Sequence, residues 1–261
     1  MLSARGLAKS YGAVRAVDGV DLNVPAGRIV GLVGNNGAGK TTLLKLLCGI
    51  LEPTAGTTDL EGRPTSAPAT RKGLGFLPED SPLYDDQTPL QYLAFFAGLY
   101  GLGRKDADTR AERLLDGLRL GREHWGKPIG ELSKGSARKV AIARAFLHDP
   151  AVLLLDEPAS GLDPATRREL DAFLSGQRQA GKAILLSAHN LKQVEELCDA
   201  ILLMHGGRIV ARGSLAELRS QWGTARYRLH ATVPFTGSAP TGTVHVGLMA
   251  GLREAERAME E

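Results

Sequence analysis

The sequence has little cysteine, no secretory signal and no hydrophobic run long enough to cross a bilayer. Its two cysteines, Cys48 and Cys198, are too few and too far apart for a disulfide framework or a cysteine zinc site. The longest apolar runs, residues 151–155 and 200–204, have the length of buried strands. Residues 1–10 lack the apolar region of a signal peptide. We therefore expect buried thiols in a reducing compartment, and any membrane-spanning part on another chain.

An excess of charge of one sign is also missing. The chain has 32 Lys and Arg against 29 Asp and Glu, a formal net charge of +3, and no stretch concentrates the basic residues into a stripe. Because binding to a phosphate backbone needs clustered positive charge, we expect no nucleic-acid partner. The hydrophobic fraction of 43% is ordinary and supports a substantial globular core.

Strand and helix patterns alternate along most of the chain. Residues 29–33 form a short apolar run that ends at a glycine, as in a strand buried on both faces. Leucines in residues 40–50 recur at helical spacing. The alternation resumes at residues 151–155, with a helix start predicted at Asp163 and Pro164. This pattern predicts an α/β fold.

Two regions depart from this alternation. Residues 85–147 are almost entirely helical in pattern, which predicts a helical insertion between core strands. After residue 222 the composition changes, and residues 223–261 are either an accessory element of unknown role or the start of a further domain. Within them, residues 227–233 alternate like a strand and residues 248–261 read as a charged helix. A further helix start, with a capping box, is predicted at Asn190.

A glycine-rich segment lies between the first buried strand and the first helix. It reads Gly34-Asn35-Asn36-Gly37-Ala38-Gly39-Lys40-Thr41, the complete pattern of a phosphate loop. In such a loop, backbone N–H groups converge on phosphates at a helix N-terminus, which also includes Thr42. Lys40 would place a positive charge at the β- and γ-phosphates, and the Thr41 hydroxyl would bind Mg²⁺. The flanking strand and helix disfavour a chance Lys-Thr pair after a glycine turn.

An acidic pair follows the apolar run at residues 151–155. Acidic residues at the carboxyl end of a buried strand lie at the rim where ligands bind in open α/β sheets. Asp156 is therefore predicted to hold Mg²⁺, and Glu157 to polarise the attacking water. The alternative is a pair of turn carboxylates before Pro158, and the phosphate loop argues against it.

A third segment resembles the signature motif of the ABC (ATP-binding cassette) ATPases. It reads Leu132-Ser133-Lys134-Gly135-Ser136, where the family usually has Leu-Ser-Gly-Gly-Gln. Further family motifs follow in order, with Asp163 ending a D-loop sequence and His189 at the position of the switch histidine. Tyr11 falls where the family places an aromatic residue that stacks on adenine. The resemblance covers about residues 1–220.

This resemblance implies a fold and a set of roles. The fold is an α/β phosphate-loop core with an antiparallel β subdomain and a helical subdomain insertion, in a domain of residues 1–222. ATP and Mg²⁺ are the implied cofactors, and Lys40, Glu157 and His189 the catalytic residues. Ser133 and Gly135 would contact ATP bound by a second ATPase subunit, either an identical chain or a close paralogue. Taken alone, Ser133 could be a helix N-cap, His189 a structural histidine and Tyr11 a turn aromatic packed on the core.

Three positions depart from the family pattern. Lys134 and Ser136 replace the usual glycine and glutamine, and such variants occur among ATPases that work with ABC-2-type permeases. Residues 76–84 resemble that same group. Glu79 stands where a glutamine normally reaches the Mg²⁺ region, and it would either bind the cation more tightly or turn away and cap the next segment.

The implied function is that of an energy-coupling subunit of a membrane exporter. It would sit on the cytoplasmic face of the membrane, with a separate permease docked on residues 76–84 and 90–100. We expect Phe95 and Phe96 to lie in the helical core rather than in that contact. The alternative is a soluble ABC ATPase that acts on nucleic acid or ribosomes, although no basic arm or second cassette is visible. A small-metabolite kinase would leave the signature-like segment unexplained.

Overall fold

The computed structural model describes residues 1–189 and 194–222. The chain divides into two compact units, Met1–Arg212 and Gly213–Glu261. The predicted helix start at Asn190 and the predicted elements at 227–233 and 248–261 lie outside the described residues. Within the described part of the chain, no helix is long and apolar enough to cross a membrane.

Ten strands and seven helices make up the described structure. The strands are β1 (Leu2–Tyr11), β2 (Val14–Val24), β3 (Ile29–Val33), β4 (Ala55–Leu60), β5 (Arg63–Pro64), β6 (Leu74–Leu77), β7 (Val152–Leu155), β8 (Ala183–Ala188), β9 (Ala200–His205) and β10 (Arg208–Gly213). The helices are α1 (Lys40–Leu47), α2 (Pro68–Arg71), α3 (Pro89–Leu99), α4 (Arg104–Gly117), α5 (Lys134–Phe146), α6 (Pro164–Gln179) and α7 (Leu215–Trp222). Two short 3-10 turns, Arg122–His124 and Ile129–Glu131, join α4 to α5.

The first sheet is antiparallel and has the strand order β2-β1-β4-β5. Its strands alternate as the sequence does: Leu22 and Val24 are buried, whereas Asp21 and Asn23 are exposed. This alternation is typical of an antiparallel sheet with one face on the core and one face in water. It is the antiparallel β subdomain that the sequence predicts.

The second sheet has six strands in the order β10-β9-β3-β8-β7-β6. Strands β9, β3, β8, β7 and β6 run parallel to their neighbours. All residues of β3, β7 and β8 are buried, which is why these strands, Ser187 apart, have apolar residues throughout instead of alternating. Strand β10 returns beside β9 through the two-residue connection Gly206-Gly207.

Three helices of the first unit, α3, α5 and α6, begin at residues whose side chains cap them. Thr88 and Gln91 form a capping box at α3, and Asp163 Oδ1 accepts the N–H groups of Ala165 and Thr166 at α6. The helix start predicted at Asp163 is thereby confirmed. Helix α5 begins at Lys134, and Ser133 is its N-cap. Helix α1 ends at Leu47, short of residue 50.

Helices α3, α4 and α5 form the predicted helical insertion, but one expectation about its core is wrong. Phe95 is 48% exposed, whereas Phe96 is half-buried. The buried side of α3 is formed by Pro89, Tyr92, Leu93 and Ala97. Phe95 lies between Leu93 and Ala97 in sequence but on a different side of the helix, so its side chain points away from the core.

Both cysteines are free thiols. Cys48 is buried and Cys198 is half-buried, in line with the small apolar role that the sequence predicts. Burial raises the pKa of each thiol to about 12. Thiols with such pKa values are poor nucleophiles at neutral pH.

Within the described part of the second unit, α7 follows a capping box. The Ser214 N–H donates to Glu217 Oε2 at 2.7 Å, and the Glu217 N–H donates to Ser214 Oγ at 3.2 Å. These two bonds satisfy two backbone donors that the helix itself leaves free.

Candidate functional site

Three strand ends meet at one edge of the six-stranded sheet. The segment 34–41 follows β3, His189 follows β8, and Asp156 with Glu157 follows β7. Because β8 lies between β3 and β7 and all three run parallel, these residues reach the same rim. Ligands of open α/β sheets bind at this rim.

Two glycines of the segment 34–41 are required by close backbone contacts. A Cβ atom at Gly34 would lie 2.3 Å from the carbonyl oxygen of Met204. Gly39, with φ 102°, would place a Cβ 2.2 Å from the carbonyl oxygen of Ala16. The loop therefore threads between the end of β9 and β2 with no room for a side chain at either position.

Lys40 opens α1 and turns back over the loop. Its Nζ donates to the carbonyl oxygens of Gly34 at 2.7 Å and Asn35 at 3.2 Å. The same Nζ lies 3.8 Å from Glu157 Oε1, and both side chains are buried. The lysine of the predicted phosphate loop and the acid of the second motif thus form one buried pair.

Asp156 is completely buried and only half satisfied. Its Oδ1 accepts the Ser187 hydroxyl at 2.6 Å, whereas its Oδ2 has no hydrogen-bond partner among the described residues. A buried carboxylate oxygen without a donor is costly unless something else compensates its charge. A divalent cation would do so, and Mg²⁺ is commonly held by one or two carboxylates together with phosphate oxygens. The residues present fit the predicted metal, with Thr41 as a half-buried neighbour in the first turn of α1.

Both carboxylate oxygens of Glu157 and its backbone N–H have partners. His189 Nδ1 lies 2.9 Å from Glu157 Oε2, and Lys40 approaches the other carboxylate oxygen. The Glu157 N–H donates to Ser187 Oγ at 2.8 Å, and its φ of 47° lies in the left-handed region that non-glycine residues rarely adopt. The structure therefore fixes the direction of this carboxylate.

The remaining predicted residues lie apart from this pair. Ser133 caps α5, where its Oγ accepts the Ser136 N–H at 3.1 Å, and Gly135 is in the first turn of the same helix. The carboxylate of Asp163 caps α6, and the hydrogen bond from the Thr166 hydroxyl is the main cause of its lowered pKa. Glu79 is exposed at the end of β6. Within a single chain, Ser133 is therefore a helix N-cap, the alternative that the sequence analysis left open.

Tyr11 ends β1 and is 49% exposed, with Lys9 Nζ 5.5 Å from its ring centroid. The alternative that this tyrosine packs on the core is therefore wrong. Its ring is accessible to a planar ligand, and its role toward adenine stays a prediction.

Two residues that organise the site were not predicted. Ser187 joins Asp156 to Glu157, and the only signal for it is a hydroxyl inside an otherwise apolar strand. Arg138 donates to backbone carbonyls on both acidic residues, and its sequence context is that of any arginine on a helix. The spacing of residues in the sequence therefore does not predict the contacts of Ser187 or Arg138.

The chain is similar in sequence to known proteins of one family. Residues 17–160 match the family model described as ABC transporter. The ABC transporter ATP-binding protein NatA of Bacillus subtilis (strain 168) is 39% identical over 208 residues, which are 78% of this chain and 84% of NatA. Nod factor export ATP-binding protein I of Ralstonia nicotianae is 38% identical over 220 residues, 84% of this chain and 68% of that protein.

A solved structure gives the same result for the fold. The structure of an ATP-binding subunit of an ABC transporter superposes with a TM-score of 0.77 at 34% identity. The match covers 85% of this chain and 92% of the other. The predicted α/β cassette fold is confirmed.

Proposed function

Because this chain belongs to the ABC transporter family of ATP-binding subunits, we propose that it drives a separate membrane permease of the ABC-2 exporter type. ATP hydrolysis is the characteristic activity of the family. The observation that carries the proposal is the convergence of Lys40 and His189 on the two carboxylate oxygens of Glu157. In this proposal Glu157 is the general base, Lys40 is the phosphate-binding cation on one side of it, and His189 is the polar sensor on the other.

The chain's own residues divide the work of hydrolysis among them. The N–H groups of residues 34–41 and the Lys40 ammonium would hold the β- and γ-phosphates. Asp156 Oδ2 and the Thr41 hydroxyl would hold Mg²⁺, which neutralises phosphate charge when bound. Glu157 would accept a hydrogen bond from the attacking water, while His189 keeps its carboxylate oriented. Such chemistry depends mainly on positioning and charge.

A second copy would complete each site. Ser133 and Gly135 stand at the N-terminus of α5, a 13-residue helix whose positive end suits an anion. Within its own chain, Ser133 Oγ accepts the Ser136 N–H and donates to the Ser136 hydroxyl, both at 3.1 Å. We assign it, with Gly135 and Asp163, to the ATP bound by the facing subunit, which is an identical chain or a close paralogue.

The permease would dock on an aromatic surface of the helical insertion, defined here as Tyr84, Phe95, Leu99 and Tyr100. These side chains are between 45% and 68% exposed, and the Tyr84 and Phe95 ring centroids lie 6.1 Å apart. Exposed apolar groups gathered in this way mark interaction sites. Tyr84 lies in the connection between β6 and α3, so a permease helix docked there would contact the segment that follows β6. The chain would then sit at the cytoplasmic face of the membrane.

Detergent extraction from native membranes tests the proposal. The tagged full-length chain should co-purify with a polytopic membrane protein and show Mg²⁺-dependent ATP turnover. Co-purification of RNA or ribosomes instead would support the soluble alternative and overturn the exporter assignment. Residues 223–261 are proposed to be an accessory extension, and their deletion in the same experiment would show whether they bind the permease.

A further inference from the structure

Arg138 makes an unusual number of backbone contacts for one side chain. It lies in the second turn of α5 and is partly buried. Its guanidinium donates to the carbonyl oxygens of Pro78 (3.3 Å), Glu79 (2.8 Å), Asp156 (3.0 Å), Glu157 (2.9 Å) and Pro158 (3.3 Å). Arginine is the side chain that offers five N–H donors in a rigid plane, so the match of donors to acceptors is complete.

These five carbonyls belong to two loops that follow neighbouring strands. Strands β6 and β7 pair in parallel up to Leu77 and Leu155, and the Asp156 N–H then donates to the Leu77 carbonyl at 2.8 Å. Beyond that bond the strands separate, and their carbonyls need other donors. Arg138 supplies them for both loops at once.

One of these carbonyls belongs to the residue with the strained backbone. Glu157 has φ 47°, and its carbonyl accepts from Arg138 Nη2 and from the Ser160 N–H at 3.1 Å. A left-handed non-glycine residue persists only where its surroundings hold it. Removing the guanidinium leaves this conformation with fewer restraints, and the carboxylate direction changes with the backbone.

We propose that Arg138 is a positioning residue that locks Glu157 for water activation and couples the loop at residues 78–79 to the loop at residues 156–158. The second half of the inference rests on the proposed function, since residues 78–79 and Tyr84 of the proposed permease surface belong to the same connection between β6 and α3. A displacement of either loop must move the guanidinium, and through it the other loop and the start of α5. Helix α5, which Ser133 caps, is therefore hydrogen-bonded through Arg138 to Asp156 and Glu157 of its own chain.

Steady-state kinetics on the full-length chain test this inference. Arg138→Gln should lower kcat by roughly 10- to 100-fold with KM for ATP changed by less than about twofold, because Glu157 acts in the transition state and not in ATP binding. Arg138→Lys has three donors and no planar fork, so its kcat should lie between those of the wild-type chain and Arg138→Gln. Arg110→Gln is the matched control: Arg110 also donates to a carbonyl, that of Leu147 at 3.4 Å, but far from the acidic pair. It should keep kcat within about twofold.

Hydrogen exchange provides the readout that a purely structural role would not give. In Arg138→Gln, the amides of residues 79–80, 156–157 and 159–160 should exchange faster, with those of β6 and β7 unchanged. Normal kcat, a loss confined to ATP affinity, or faster exchange spread through the whole domain would each overturn the proposal. Glu157→Gln distinguishes a failure of the proposed function from a failure of the inference about Arg138. If Glu157→Gln retains ATP turnover, the assignment of the ATPase site fails. If Glu157→Gln is inactive and Arg138→Gln has normal turnover, only the inference about Arg138 is refuted.

Discussion

The Ser187 hydroxyl fixes the carboxylate of Asp156, to which it donates at 2.6 Å, deep at the carboxyl end of the sheet. The Ser187 Oγ atom also accepts the N–H of Glu157 at 2.8 Å. One side chain from β8 thus contacts two neighbouring acidic residues that follow β7. Asp156 Oδ2 has no hydrogen-bond partner among the described residues, whereas the carboxylate of Glu157 lies between Lys40 and His189.

Replacing Ser187 with alanine should weaken both the fold and the metal site. It leaves Asp156 Oδ1 and the Glu157 N–H buried without partners, which costs about 2 to 3 kcal/mol of unfolding free energy. The Mg²⁺ concentration needed for half-maximal ATP turnover should rise as Asp156 loses its orientation. Urea denaturation and a Mg²⁺ titration measure these effects.

Ser3→Ala is the control for that change. The Ser3 hydroxyl also donates to an aspartate oxygen at 2.6 Å, that of Asp59, but on the antiparallel sheet and partly in solvent. This variant should lose no more than about 1 kcal/mol and need no additional Mg²⁺. An equal Mg²⁺ requirement in Ser187→Ala and Ser3→Ala would contradict the role given to Ser187.

Glu157→Gln should trap a dimer. The amide keeps the shape of the side chain but cannot act as a base, so ATP stays bound between two copies. Light scattering in saturating Mg²⁺ and ATP should give about twice the monomer mass. Adding Lys40→Ala should abolish the dimer, because that variant loses the ammonium at the phosphates. A Glu157→Gln protein that stays monomeric under these conditions would refute the shared site.

Much of this site was accessible from sequence because its motifs are local. The segment 34–41 and the pair Asp156-Glu157 each follow a buried strand, and the strand fixes where they point. Ser187 and Arg138 were not accessible, because the partners of Ser187 lie 30 and 31 positions away and those of Arg138 at least 18, and only the fold brings them together. The misplacement of Phe95 has another cause. Helix α3 is apolar on most of its circumference, so periodicity alone does not distinguish the inner from the outer side.

His148 should make stability depend on pH. Burial lowers the pKa of this imidazole, whose ring stacks on Tyr100 with centroids 4.0 Å apart. The unfolded chain then binds a proton at a higher pH than the folded chain, so unfolding free energy falls as pH drops below about 6.5, the ordinary histidine value. Guanidinium denaturation at pH 7.5 and 5.5 should show this loss, and His148→Gln should reduce it. An unchanged pH dependence in that variant would assign the loss to other groups.

Phe95 and Leu99 should matter for partner binding more than for folding. They are 48% and 68% exposed on α3, so a polar replacement removes little buried area and should change unfolding free energy by less than about 1 kcal/mol. The double variant Phe95→Asp and Leu99→Asp should nevertheless lose the co-purifying permease, because charges would be buried at the docked surface. Val14→Asp, at a position 67% exposed on β2, adds a charge at an apolar site away from α3 and should retain it. Retention of the permease by the double variant would place the docking surface elsewhere on the chain.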